Sequence, residues 1–332
     1  MEFDITREVI VKSESGTDLD FGCDPEKRPI EKYIDFGMVN LDKPSGPTSH
    51  QISAWVRGIL HVNKTGHSGT LDPKVTGVLP IALENSTKAL TALNVGKEYV
   101  GVMHLHGDVS KGRIKKVCKY FRGEIYQRPP LKSSVKRQLR IRKIHYIKFM
   151  EMLERDVLFK VGCEAGTYIR KLCRDMGLVL GTGAHMAQLR RTKVGGVLEE
   201  KFTPFDESNL VRLQDLKDAY EFYIEDGDES YLRGCVMPVE KGIQHLKKIW
   251  VKDSAVNSIC YGADLNAPGV CKLEAGIETE EQVGLFTLKN ELVATGKSLR
   301  NSKEIARLSR GIVVDTGRVI MERDVYPKRW GV

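Results

Sequence analysis

The chain has 332 residues, 41% hydrophobic and 29% charged, enough for two folded domains with substantial cores. No apolar stretch reaches the roughly 18 residues of a membrane span. Met-Glu-Phe-Asp at the start places no basic segment ahead of an apolar one, so a cytosolic (cytoplasmic) protein is expected. A formal charge of +8 favours polyanionic partners, and seven cysteines without a CxxC pair indicate reduced thiols with neither a zinc cage nor a disulfide framework.

In chain order, residues 1–35 are polar, lack a clear period and read as an extension. Gly37 to Leu41 reads as a strand that enters the loop Asp42-Lys43-Pro44-Ser45-Gly46-Pro47. A helix follows, with Thr48 and Gln51 spaced for a capping box and Ile52, Trp55, Val56, Ile59 and Leu60 on one stripe. Next comes Gly66-His67-Ser68-Gly69-Thr70-Leu71-Asp72-Pro73, in which two glycines and a proline hold Asp72 on a tight loop before the apolar run Val78 to Leu83. An Asp-Pro pair is ordinarily a turn former, and Gly-His-Ser-Gly by itself also fits the GXXG loop of a KH domain.

Lys97 to His106 alternates as a strand, with Tyr99, Met103 and Leu105 on one face. Between Lys111 and Lys143 stand 13 Lys and Arg against one acid, Glu124; the prolines at 129 and 130 mark this stretch as an exposed arm facing RNA. Lys132, Lys136 and Arg137 are its candidate phosphate contacts. Asp156 to Cys163 is a further strand leading through Gly166-Thr167 into a helix that ends near Gly181, which puts Tyr168 and Arg170 at a strand-to-helix junction. Arg190 to Glu200 ends the main sheet, and Asp206 to Phe222 reads as a helix. From Ile249 the pattern becomes a small β-rich unit. It has strands at Val270 to Leu273, Val283 to Leu288, Leu292 to Thr295 and Ile312 to Asp315, a turn at Thr316-Gly317, and a last strand from Arg318 to Met321.

The octapeptide ending in Asp72-Pro73, with Lys43-Pro44 upstream and Gly-Thr-Tyr-Ile-Arg at 166–170 downstream, resembles the pseudouridine synthases of the TruB family. Gly-Glu-Ile-Tyr-Gln-Arg-Pro-Pro-Leu-Lys-Ser-Ser-Val-Lys-Arg at 123–137 is similar to the dyskerin branch, the catalytic subunit of box H/ACA ribonucleoproteins. The resemblance implies an α/β (α+β) fold with a mixed, mainly antiparallel sheet at 36–248, a PUA-type RNA-binding β-barrel at 249–325, and the 1–35 extension packed on that barrel. A compact arm at 123–143 and a chain that stops at Val332 without a lysine-rich tail point to an archaeal-type, guide-dependent enzyme.

By the same resemblance Asp72 is the catalytic carboxylate, which attacks the ribose or takes a proton from it. Arg170 keeps it charged, and Tyr99 stacks on the flipped uracil. Tyr168, His67 and Lys43 are the other substrate contacts, Lys43 also bracing the loop, while Tyr261, Gly262 and Ala263 read RNA in the C-terminal unit. The reaction needs no metal and no cofactor. The implied partners are a box H/ACA guide RNA, substrate rRNA or tRNA, small accessory proteins and a kink-turn-binding protein. Two rival readings are a stand-alone tRNA pseudouridine synthase and a non-catalytic RNA-binding scaffold in which Asp72 only shapes a turn.

Overall fold

The computed structural model describes residues 7–129, 136, 138–195, 203 and 205–328, so Lys132 and Arg137 lie outside the described residues. Ten strands form the larger sheet. Its main path runs Met237–Pro238, Gly37–Lys43, Thr76–Leu83, Ala184–Val194, Lys97–Leu105, Asp156–Cys163, Arg140–Leu153 and Gly123–Gln127. Most neighbours are antiparallel, but Thr76–Leu83 and Ala184–Val194 pair in parallel, with Gly77 opposite Arg191. The Asp72 loop enters the sheet at this seam.

Four helices cover one face of the sheet in two groups. Lys111–Tyr120 and Ile169–Leu180 bury Ile114, Val117, Leu172 and Met176 against Met103, Phe159 and Val161. On the same face, across the register that sets Tyr99 opposite Arg191 and Arg191 opposite Gly77, Ser49–Ile59 and Leu213–Asp226 bury Ile52, Val56 and Leu216 against Val39, Leu41, Leu79 and Ile81. Lys97–Leu105 follows its alternation, with Tyr99, Met103 and Leu105 buried and Val100, Val102 and His104 only half-buried.

The capping box is formed in full. Thr48 Oγ1 accepts the Gln51 N–H at 3.2 Å, and Gln51 Oε1 accepts the Thr48 N–H at 2.8 Å. Thr48→Ala is therefore expected to lower unfolding free energy by about 1 kcal/mol, read from the urea midpoint at constant slope. Trp55 does not join the buried stripe. It stands half exposed beside a groove of about 840 Å³ between the Ser49–Ile59 and Leu213–Asp226 helices, because the buried face is set by Ser49, Ile52, Ser53 and Val56.

Seven strands form the second sheet, in the order Val9–Val11, Val270–Glu274, Lys247–Val251, Gln282–Phe286, Leu292–Ser298, Ile312–Val319 and Leu265–Asn266. The edge strand Val9–Val11 comes from the N-terminal segment, whose Arg7 also pairs with Glu274 at 2.8 Å. Arg28 from that segment holds buried Glu240 with two hydrogen bonds of 2.7 and 3.0 Å, and Glu240 accepts the Leu292 N–H at 2.9 Å. One side-chain pair thus ties three parts of the chain together. Apolar packing continues across the junction through Met38, Val78, Trp250, Phe286 and Ile320.

Two sequence expectations need correction. Asp206 lies in the short strand Phe205–Asp206 and caps the turn after it, its carboxylate accepting the Ser208 N–H at 2.8 Å; the helix begins only at Leu213. Thr316-Gly317 is not a reversal, since Val314 and Val319 both pair with the same strand, opposite Ser298 and Ala294, and the irregularity is a bulge. No helix among the described residues is long and apolar enough to cross a membrane.

Candidate active site

Two buried cations fix the Asp72 loop from below. Lys43 donates from Nζ to the carbonyls of Pro44, Pro73 and Val75, each at 2.9 Å, and is fully buried. Its three protons are spent on backbone, so the expected substrate contact by Lys43 is corrected to a bracing role. Arg191, also fully buried, donates to the carbonyls of Val78 at 2.7 Å and Gly69 at 2.8 Å. Ser49, in the first turn of its helix, accepts the Leu71 N–H at 2.9 Å and donates back to the Leu71 carbonyl at 3.2 Å. Gly69 has φ +69°, and a Cβ there would stand 2.7 Å from Lys97 Cε, which explains glycine at this point.

Asp72 is thereby held out toward solvent, and Arg170 meets it. Arg170 Nη2 donates to Asp72 Oδ2 at 2.7 Å, with the two side chains 56% and 51% exposed. Arg170 sits in the first turn of the Ile169–Leu180 helix, whose N-cap residue is Tyr168. No side chain of Tyr168 caps that helix; instead its backbone is gripped by buried Gln127, which accepts the Tyr168 N–H at 2.9 Å and donates to the Tyr168 carbonyl at 3.1 Å. At the far end Gly181, with φ +80°, terminates the helix.

Tyr99 lies beneath this pair, close enough to both Asp72 and Arg191 to interact electrostatically with them. It is only 7% exposed, packed in the core with little of its ring open to a base, and the Arg191 guanidinium lies close to it. Burial pushes the phenol up from its ordinary pKa, with Arg191 opposing, so it stays protonated at neutral pH.

His67 is half-buried and edge-on to His50 at 4.9 Å, and neither of its ring nitrogens has a hydrogen-bond partner among the described residues. Burial, then the His50 and Arg191 charges, lowers its pKa and leaves a neutral imidazole. Lys136 is exposed in the arm.

Tyr261, Gly262 and Ala263 belong to the second sheet's unit and do not join this cluster. The Tyr261 hydroxyl donates to Asp324 at 3.1 Å while Arg323 lies 4.7 Å from its ring; Gly262 takes φ +92°, and the Ala263 carbonyl accepts the Thr316 hydroxyl at 3.0 Å. Sequence reasoning missed Arg191, Lys97, Gln127 and Ser49. Gln127 carried a signal, as the last residue before Arg128-Pro129-Pro130, where the strand must end.

Comparison with known proteins covers the chain from end to end. Residues 57–169 match the TruB family pseudouridylate synthase N-terminal domain and 170–244 the tRNA pseudouridylate synthase B C-terminal domain, while 1–53 match the DKCLD domain and 247–320 the PUA domain. A probable tRNA pseudouridine synthase B of Methanopyrus kandleri is 55% identical over 333 aligned residues, covering 100% of this chain and 96% of that protein. Its counterpart in Pyrococcus furiosus is 54% identical, covering 98% and 95%. Among solved structures, a Cbf5-Nop10-Gar1 complex matches at TM-score 0.90 and 54% identity, covering 98% of both chains. An H/ACA RNP bound to a substrate RNA containing 2'-deoxyuridine matches at TM-score 0.89 and 52% identity, again covering 98% of both. Sequence identity above one half over the whole chain, together with the matched domains, makes this chain a member of the TruB family of pseudouridine synthases, in the form that carries DKCLD and PUA domains.

Proposed function

We propose that this chain converts uridine to pseudouridine in rRNA or tRNA as the catalytic subunit of a box H/ACA ribonucleoprotein, with a guide RNA choosing the target by base pairing. The observation that carries the reading is the 2.7 Å contact of Arg170 with a carboxylate whose loop is clamped by two buried cations. In the reaction the bond from uracil N1 to ribose C1′ breaks, C5 bonds to C1′, the C5 proton leaves, and N1 gains a proton. The base keeps its composition, so no outside oxidant or reductant enters. An ionised Asp72 serves either route to bond cleavage, by attack at C1′ or by taking a ribose proton on the way to a glycal.

Arg170 orients that carboxylate through one charge-assisted hydrogen bond. The Tyr99 hydroxyl, beside the Arg191 charge, is the neutral group available below the base, and Tyr168 and His67 would serve as further substrate contacts. The segments 1–35, 36–248 and 249–325 would act as brace, catalytic domain and RNA-binding module. Accessory proteins of the Nop10 and Gar1 kind and a kink-turn-binding protein complete the proposed particle, working in the cytoplasm.

Guide choice is favoured over stand-alone action by the H/ACA particle that this chain matches at 52% identity. The test is single-turnover conversion of labelled uridine, with and without guide RNA and accessory proteins. Product only with guide is expected; efficient conversion of bare tRNA would overturn the guided reading and leave a stand-alone synthase.

A further inference from the structure

The Lys111–Tyr120 helix and the two residues after it carry six cations and no acid: Lys111, Arg113, Lys115, Lys116, Lys119 and Arg122. All six are exposed, and none forms a salt bridge among the described residues. Elsewhere the surface cations are commonly matched: Arg155 with Asp108, Arg190 with Asp42 and Glu207, Arg212 with Asp215, Lys217 with Glu221. A helix with this much uncompensated charge pays for self-repulsion, which a polyanion would relieve.

The charges are also ordered. Lys111, Lys115, Lys119 and Arg122 fall at i, i+4, i+8 and i+11, one stripe about 16 Å long at 1.5 Å per residue. Lys115 already rests over the Phe149 ring at 5.4 Å, which pins the stripe to the sheet. On the opposite flank Tyr120 is 75% exposed, edge-on to Phe121 at 5.6 Å, an aromatic face open to a base or ribose.

The direction of the helix gives the stripe its meaning. Its first turn lies beside the end of the catalytic helix, since a Cβ on Gly181 would stand 3.8 Å from the Arg113 guanidinium. Its last turn leads through Arg122 into the strand Gly123–Gln127, and Gln127 holds the Tyr168 backbone next to Arg170. The basic helix therefore runs alongside the Ile169–Leu180 helix toward the Asp72 end, with about 16 Å of strand from Arg122 to Gln127 at 3.3 Å per residue.

We infer that this stripe is a phosphate track for the RNA strand that enters or leaves the Asp72 site, formed by residues other than the candidate contacts Lys132, Lys136 and Arg137 and resting on the function proposed above. RNA is favoured as occupant because a regularly spaced stripe of cations, with Lys116 and Arg113 one and two turns before the exposed Tyr120 ring on the other flank, matches a sugar–phosphate backbone with flanking bases.

The test uses the full chain with guide RNA and accessory proteins, measuring substrate RNA binding at several salt concentrations for wild type, a Lys111→Gln, Lys119→Gln, Arg122→Gln triple variant, and a charge-keeping K111R/K119R variant. The triple variant should reduce the slope of log binding constant against log salt by about 2, and the charge-keeping variant should match wild type. A triple variant with the wild-type slope and an unchanged melting temperature would overturn the track and assign the helix to an acidic protein partner. Wild type that makes no pseudouridine with guide would instead sink the functional reading, whatever the slopes.

Discussion

Asp72→Asn should reduce single-turnover pseudouridine formation on the order of 10⁴-fold or more, the scale lost when a reacting group is removed from a preorganised site. The substitution keeps the shape of the side chain and its ability to accept from Arg170 Nη2, and removes only the negative charge. The loop should stay in place, because it is held by Lys43, Arg191 and Ser49 through backbone atoms rather than through the Asp72 carboxylate. The pair with Arg170 is half exposed on both sides, so its loss costs about 1 kcal/mol of stability at most. A variant that melts with wild type and binds substrate RNA equally, but forms no product, places the chemistry at Asp72. Equal product from the variant would return Asp72 to the role of a turn residue and leave the scaffold reading standing.

The parts of the site that were legible in sequence are those with a local signature. The Thr48 and Gln51 spacing set the start of one helix, the Lys97–Leu105 alternation set which face Tyr99 takes, and Gly166-Thr167 placed Arg170 at a helix start. What local patterns could not show is that a cation is buried. Lys43 and Arg191 look like surface residues in any window of their neighbours, and their partners are carbonyls 30 and 122 residues away. The strand Val9–Val11 is hidden for the same reason, since its partner begins at Val270.

The helix Lys111–Tyr120 is a different kind of miss. Ile114, Val117, Cys118 and Phe121 recur at i, i+3, i+4 and i+7, an apolar stripe that was present but eclipsed by the charge around it. Reading the whole basic stretch as one exposed arm merged a packed helix with the segment that follows it.

Lys97→Met should make the protein more stable at pH 7, by about 2 kcal/mol, while slowing conversion. Lys97 is 7% exposed, and burial followed by the Arg191 charge brings its ammonium from the ordinary 10.5 down to about 8. A fall of that size corresponds to about 3 kcal/mol at 1.36 kcal/mol per unit. The lost hydrogen bond to the Val95 carbonyl at 2.8 Å returns roughly 1 kcal/mol of it.

The sign of the pH dependence follows from the direction. The unfolded chain binds the Lys97 proton more tightly, so between about 8 and 10.5 it holds more protons than the folded chain, and wild-type stability from this group rises with pH across that window. The advantage of Lys97→Met is therefore full below about 8 and closes as pH approaches 10.5. Urea unfolding of both proteins at pH 7 and pH 10 reads it directly. A Met variant less stable at pH 7, with a pH profile parallel to wild type, would mean that the ammonium is well solvated in the folded protein. Lys97 packs against Gly69, three residues before Asp72, so a stability gain joined to a loss of rate would show that its destabilising charge is retained for the loop that carries the carboxylate.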